Sequence, residues 1–130
     1  MSHIARKRAD SPLHTKSKEF AVCIVGMTRA LNKEWSIAPL FQQILRSGTS
    51  IHANIRESEF AQSPSDFIAK LSISTKEANE TMGWLEILHE SGCMDDAVFI
   101  DLSQKCNELI AMLTASIRTA RQNQGVVLSS

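Results

Sequence analysis

The sequence predicts an all-α fold, an antiparallel up-down-up-down four-helix bundle, and three features carry that prediction. Apolar residues recur with a seven-residue rhythm through four separate segments. The chain has five Gly, three Pro and no Tyr, too few turn formers and aromatic strand formers for a sandwich or barrel. The breaks between segments are roughly two to five residues long, a length that makes consecutive helices antiparallel neighbours.

The first helix is read from about Thr15 to Lys33, with Phe20, Ile24, Met27 and Leu31 on one face. The second runs from about Ser36, a plausible N-cap, to Phe60, with Pro39 tolerated in its first turn. Its face is Ile37, Phe41, Ile44, Gly48, Ile51 and Ile55. Gly48 is the position for close helix packing. The third helix opens at Ser63-Pro64-Ser65-Asp66 and reaches about Glu90, where Gly92 stops it. Phe67, Leu71, Ser74, Ala78, Thr81, Leu85 and Leu88 follow the same rhythm. The fourth runs from Asp95 or Asp96, acidic residues suited to a positive helix end, to about Gln122. It presents Phe99, Leu102, Cys106, Leu109, Leu113, Ser116 and Ala120, and Gly125 is expected to end it. These boundaries give a flexible basic arm over 1–14, a bundle over 15–123 and a tail over 124–130.

A chain of 130 residues can bury such a core without disulfides or metals. Cys23, Cys93 and Cys106 form no C-x-x-C motif and read as reduced thiols of a cytoplasmic protein. No apolar stretch is long enough for a membrane span. Formal net charge is zero, but it is unevenly spread. Residues 1–35 carry seven Lys/Arg against three Asp/Glu, and residues 66–101 carry two against eight. Oppositely charged faces of this kind can attract each other between copies.

Two helices have more to offer than a core face. At about 100° per residue, Ile73, Trp84 and Ile87 share an arc of the third helix well away from its core arc, with Glu77 and Glu80 beside them. A helix apolar on two sides is buried on two sides, so this second face is read as a subunit contact. On the second helix, Arg46, Ser50, Ala53, Asn54 and Glu57 form a polar stripe opposite the Ile-rich face. Its small residues admit another helix, and Arg46 and Glu57 are placed for fixed ion pairs. The candidate interface is therefore Arg46, Ser50, Asn54, Glu57, Ile73, Glu77, Glu80, Trp84 and Ile87.

Chemistry is nearly absent. No H-E-x-x-H, G-x-S-x-G or phosphate-binding loop occurs. Ser47-Gly48-Thr49-Ser50 lies inside a helix, where backbone N–H groups are already committed. His89 and Cys93, with Asp95 and Asp96, fall short of a metal ligand set, and no metal or cofactor is expected. Arg46 and His52, spaced R-x5-H, resemble the Arg–His motif of the HEPN ribonuclease superfamily. In that alternative, His52 is general acid/base and Arg46 stabilises phosphorane charge without metal. The two lie about 240° apart around the helix, which points them to different sides.

A longer resemblance covers about residues 15–122. The runs Gln43–Ile51, Ala53-Asn54-Ile55, Glu57, Asp66–Ile73, Lys76-Glu77-Ala78, Glu80-Thr81 and Trp84-Leu85 resemble a bacterial family encoded in intervening sequences of large-subunit ribosomal RNA genes. That family includes the accessory variability determinant of diversity-generating retroelements. The resemblance implies four-helix bundles assembled as homopentameric barrels. It also implies, from the retroelement member, binding of RNA or DNA and of a reverse transcriptase through basic surface. The basic residues available here are Arg6, Lys7, Arg8, Lys16, Lys18, Arg29, Arg118 and Arg121. Two positions depart from the pattern: His52 stands where the family commonly carries Gly, and the chain is neutral rather than strongly basic. The reading as a whole is a non-enzymatic, homo-oligomeric scaffold.

Overall fold

The computed structural model describes residues 11–129. Among the described residues there are four α-helices and no strand: α1 Pro12–Leu31, α2 Ala38–Ser58, α3 Pro64–Glu90 and α4 Asp96–Ser129, with a 3-10 turn Trp35–Ile37 before α2. Each helix packs against its neighbours in the chain, and α1 also packs against α4, so α1 and α3 occupy the diagonal of a helical bundle.

Local chemistry sets most of the boundaries. Ser11 caps α1 by accepting the His14 N–H at 3.2 Å, with Pro12 in the first turn. The helix therefore begins three residues before Thr15. Ser-Pro here starts a helix because Pro lacks only an N–H that the first turn would leave unpaired. Ser63 caps α3 in the same way, at 3.0 Å from the Asp66 N–H, again followed by Pro. Ser36 does not cap α2. It lies within the 3-10 turn, and Ile37 occupies the N-cap position without a side-chain bond. Gly92 takes a φ of +81°, the left-handed conformation that ends α3. Gly125 does not end α4, which continues to Ser129. A glycine costs a helix about 1 kcal/mol but needs a chain reversal after it to become a stop.

The seven-residue rhythm is the core. Phe20, Ile24, Phe41, Ile44, Ile51, Leu71, Ala78, Leu85, Leu88, Cys106, Leu109 and Leu113 are essentially inaccessible. In α4, Ile117 continues the buried face, with Ser116 and Ala120 half-buried. Gly48 faces α1: a Cβ there would stand 3.0 Å from Ile24 Cγ1. A row of small polar residues tightens the contact of α2 with α3. Thr81 Oγ1 donates to Ser47 Oγ at 2.9 Å, and Ser74 Oγ donates across to the Ile51 carbonyl at 2.8 Å. Satisfied in this way, they let the helices approach closely without stranding a polar atom. Cys106 donates to the Ala78 carbonyl at 3.3 Å, and burial pushes its thiol pKa up to about 12, which leaves it unreactive. All three cysteines are free thiols.

Candidate functional site

The outer edge of the α2–α3 pair gathers most of the residues that the sequence marked as an interface. Arg46 extends from α2 onto α3. Its Nη1 donates to Glu77 at 3.1 Å and its Nη2 donates to Glu80 in a shorter bond. Glu80 also accepts the Trp84 indole N–H at 3.1 Å, one helical turn away. The Trp84 N–H and then Arg46 hold the Glu80 carboxyl below its ordinary pKa, against the opposing effect of burial. In return, the bond to Glu80 is the main reason the Arg46 pKa is raised. The indole is half-buried and packs on the core cluster. Ile73 and Ile87, on the same arc of α3, are 42% and 47% exposed. Farther along, Glu57 of α2 pairs with Lys70 of α3 at 3.3 Å. Ser50 and Asn54 turn back onto their own helix, donating to the Arg46 and Ser50 carbonyls at 2.7 and 2.9 Å. The arginine and glutamates therefore find partners inside one chain, and the isoleucines do not.

His52 lies elsewhere. It faces α1, with Nδ1 2.9 Å from the buried Ser17 Oγ. Its ring stands edge-on to His14, with centroids 5.0 Å apart. His14 Nδ1 is in turn 2.5 Å from a carboxylate oxygen of Glu59, which is buried at the end of α2. Burial, reinforced by His14, Arg56 and Lys18, lowers the His52 pKa to about 4. The fold does not bring Arg46 and His52 together: one is held by α3 and the other by α1. Sequence reasoning missed this His14–Glu59–His52–Ser17 cluster. A partial signal was present, because stepping the α1 rhythm back from Phe20 lands on Ser17. Nothing local announces Glu59, which is 45 residues from His14.

The basic candidates disperse. Arg6, Lys7 and Arg8 lie outside the described residues. Lys16 forms a close ion pair with Glu108, while Lys18 and Arg29 are exposed on α1. Arg118 and Arg121 are exposed on α4, beside a groove of about 580 Å³ between α3 and α4. His89 does not join Cys93. It pairs with Asp96 at 2.6 Å and stacks on Phe99 with centroids 4.2 Å apart. Among the described residues no three His, Cys, Asp or Glu side chains converge to hold a metal ion. Among the same residues, no helix is long and apolar enough to cross a membrane.

Fold and site together define a helical-bundle protein whose surface features are an ion-paired aromatic edge and exposed apolar side chains. The chain belongs to the 23S rRNA-intervening sequence protein family, whose description matches residues 10–115. Among solved structures it is similar to a protein of unknown function from the S23 ribosomal protein family of Bacteroides thetaiotaomicron. The two are 45% identical over 81% of this chain and 97% of that one, with a TM-score of 0.78. No curated protein matches the chain.

Proposed function

We propose that the chain is a non-enzymatic, homo-oligomeric scaffold, an up-down-up-down bundle whose copies close into a pentameric barrel. The observation that carries this reading is the outward face of α3: Ile73 and Ile87 exposed on either side of a half-buried Trp84, with Glu80 fixed beside it. A ring needs a heterologous contact, in which this face meets a different face of the next copy. The diagonal helix supplies one. Val22 and Val25 of α1 are 64% and 39% exposed, in the basic third of the sequence, while α3 lies in the acidic third. Apolar side chains framed by opposite charges favour one orientation over others.

Helix pairing within one chain supports the topology. Contacts Ser47–Thr81 and Ile51–Ser74 advance along α2 as they retreat along α3. Lys16–Glu108 and Cys23–Lys105 do the same for α1 and α4. The number five follows the family resemblance, as does a reverse-transcriptase-like partner for its retroelement branch. A cytoplasmic location fits three free thiols. Light scattering of the wild-type protein tests the scaffold: the reading requires a mass several times 14.4 kDa, and a monomer contradicts it.

A further inference from the structure

We propose that the end of the bundle formed by the turn before α2 and the loop after α3 docks an Arg/Lys-rich segment of another protein. The site does not depend on how the copies assemble. It is opposite in charge to the basic surface on which the resemblance places nucleic acid and a reverse transcriptase.

The two tryptophans of the chain differ in a way that starts the case. Trp84 packs on the core cluster and donates its indole N–H to Glu80. Trp35 is 90% exposed. Its turn is nonetheless firmly held. The Ile37 N–H closes the turn on the Glu34 carbonyl at 3.2 Å, and Ile37 packs against the core. An aromatic ring presented by a fixed turn loses little freedom when a partner covers it.

The second observation is the charge that shares this end. The Ser47–Thr81 and Ile51–Ser74 bonds pair α2 and α3 in opposite senses, so the start of α2 lies beside the end of α3. Residues 32–37 and 86–101 together carry six Asp/Glu, one Lys and no Arg. Glu34, Glu90, Asp95 and Asp96 are all exposed, and of these four only Asp96 has an ion-pair partner, His89. The α3–α4 loop is as well set as the turn. Gly92 reverses the chain, Met94 is buried, and Asp95 caps α4 by accepting the Val98 N–H at 2.9 Å.

Ring and carboxylates select the same ligand. Carboxylates attract cations, and the face of an indole is the best aromatic platform for a guanidinium or ammonium. Nucleic acid and anionic membrane are repelled from this end. A polypeptide is favoured over a free cation because the indole also offers apolar area. The aliphatic stem of Arg or Lys covers that area while its head stays with the carboxylates. Trp is also foremost among the residues that anchor protein interfaces.

The probe is a labelled peptide of alternating Arg and Ala, with a Glu–Ala peptide as control, titrated by fluorescence anisotropy at about 50 and 200 mM salt. Wild type is compared with Trp35→Ala, Trp35→Phe, the triple variant Glu34→Gln/Glu90→Gln/Asp95→Asn, and Glu19→Gln, an exposed carboxylate nearer the start of α1. The Asp95→Asn change keeps the cap of α4, and circular dichroism and light scattering are run on the same samples. The Arg–Ala peptide should bind and the Glu–Ala peptide should not. Trp35→Ala should weaken binding by about tenfold or more, and Trp35→Phe, which keeps a ring face, should lose less. The triple variant should lose about tenfold at low salt and most of the salt dependence. Glu19→Gln should bind as wild type does. Absence of binding by wild type at low salt overturns the inference, as does unchanged affinity in Trp35→Ala. Equal loss in Glu19→Gln would mean diffuse acidity rather than a site. Peptide binding by a monomer would refute the ring alone and leave this site standing, and an assembled particle that ignores the peptide would do the reverse.

Discussion

Arg46 and His52 stand six residues apart on α2 and look onto two regions built on opposite principles. Toward α3, Arg46, Glu77, Glu80 and Trp84 form a network at the surface, where the Arg46 side chain is 47% exposed and Glu80 39%. Toward α1, Glu59, His14, Ser17 and His52 form a cluster largely withdrawn from water, with Glu59 only 6% exposed and the two imidazoles half-buried. Both bridge two helices with hydrogen bonds and charge. Their energetic weight differs because solvent screens the first far more than the second. The buried cluster acts as a clasp between the start of α1 and the end of α2. The exposed network stabilises the monomer little, and in the proposed assembly its value lies in fixing charges beside the exposed Ile73 and Ile87.

Substitution at the clasp should have the larger effect. Glu59→Ala removes a buried carboxylate and leaves His14 without its acceptor, at a cost of about 2 kcal/mol, read as a lower urea midpoint at unchanged slope. An unchanged midpoint would remove the distinction between the two regions.

The pH dependence comes next in size. His52 titrates near 4 in the folded chain and near 6.5 unfolded. Above pH 6.5 neither state holds the proton. As pH falls from 6.5 toward 4 the unfolded chain takes it up first, so stability declines across that window and levels off below it. Because the ring is partly open to solvent, the loss should be about 1 kcal/mol. His52→Gln should flatten that part of the stability–pH curve; an unaltered curve would assign the dependence to other groups.

The smallest effect belongs to the exposed network. Arg46→Met should change monomer stability by less than about 0.5 kcal/mol, measured in denaturant at low protein concentration. A loss as large as that of Glu59→Ala would show the network to be structural.

The bundle was legible because its core is periodic. Phe41, Ile44, Ile51 and Ile55 on α2, and Leu71, Ala78, Leu85 and Leu88 on α3, can be counted from spacing alone, and all are buried. The second face of α3 was legible for the same reason, since Ile73, Trp84 and Ile87 share one arc. Three boundary features were not. Ser11-Pro12 reads equally as a break or as a cap followed by a first turn. Ser36 reads as a cap, but it lies inside a 3-10 turn that residue type alone does not announce. Gly125 ends nothing, because the helix has no reason to reverse there. The interhelical chemistry was the least legible part. Spacing showed that Arg46 and His52 diverge, but it could not name Glu77, Glu80, Ser17, His14 and Glu59 as what they diverge toward. Those partners are set by tertiary packing across 31 to 45 residues of chain.

The central claim is that the outward face of α3 joins one copy to the next. Light scattering of wild type beside Trp84→Glu tests it most directly. The account predicts a wild-type particle about five times 14.4 kDa, and a variant that remains helical but falls toward 14.4 kDa, because a buried unpaired carboxylate is expelled from an apolar contact. A wild-type monomer, or a variant of undiminished mass, would contradict it.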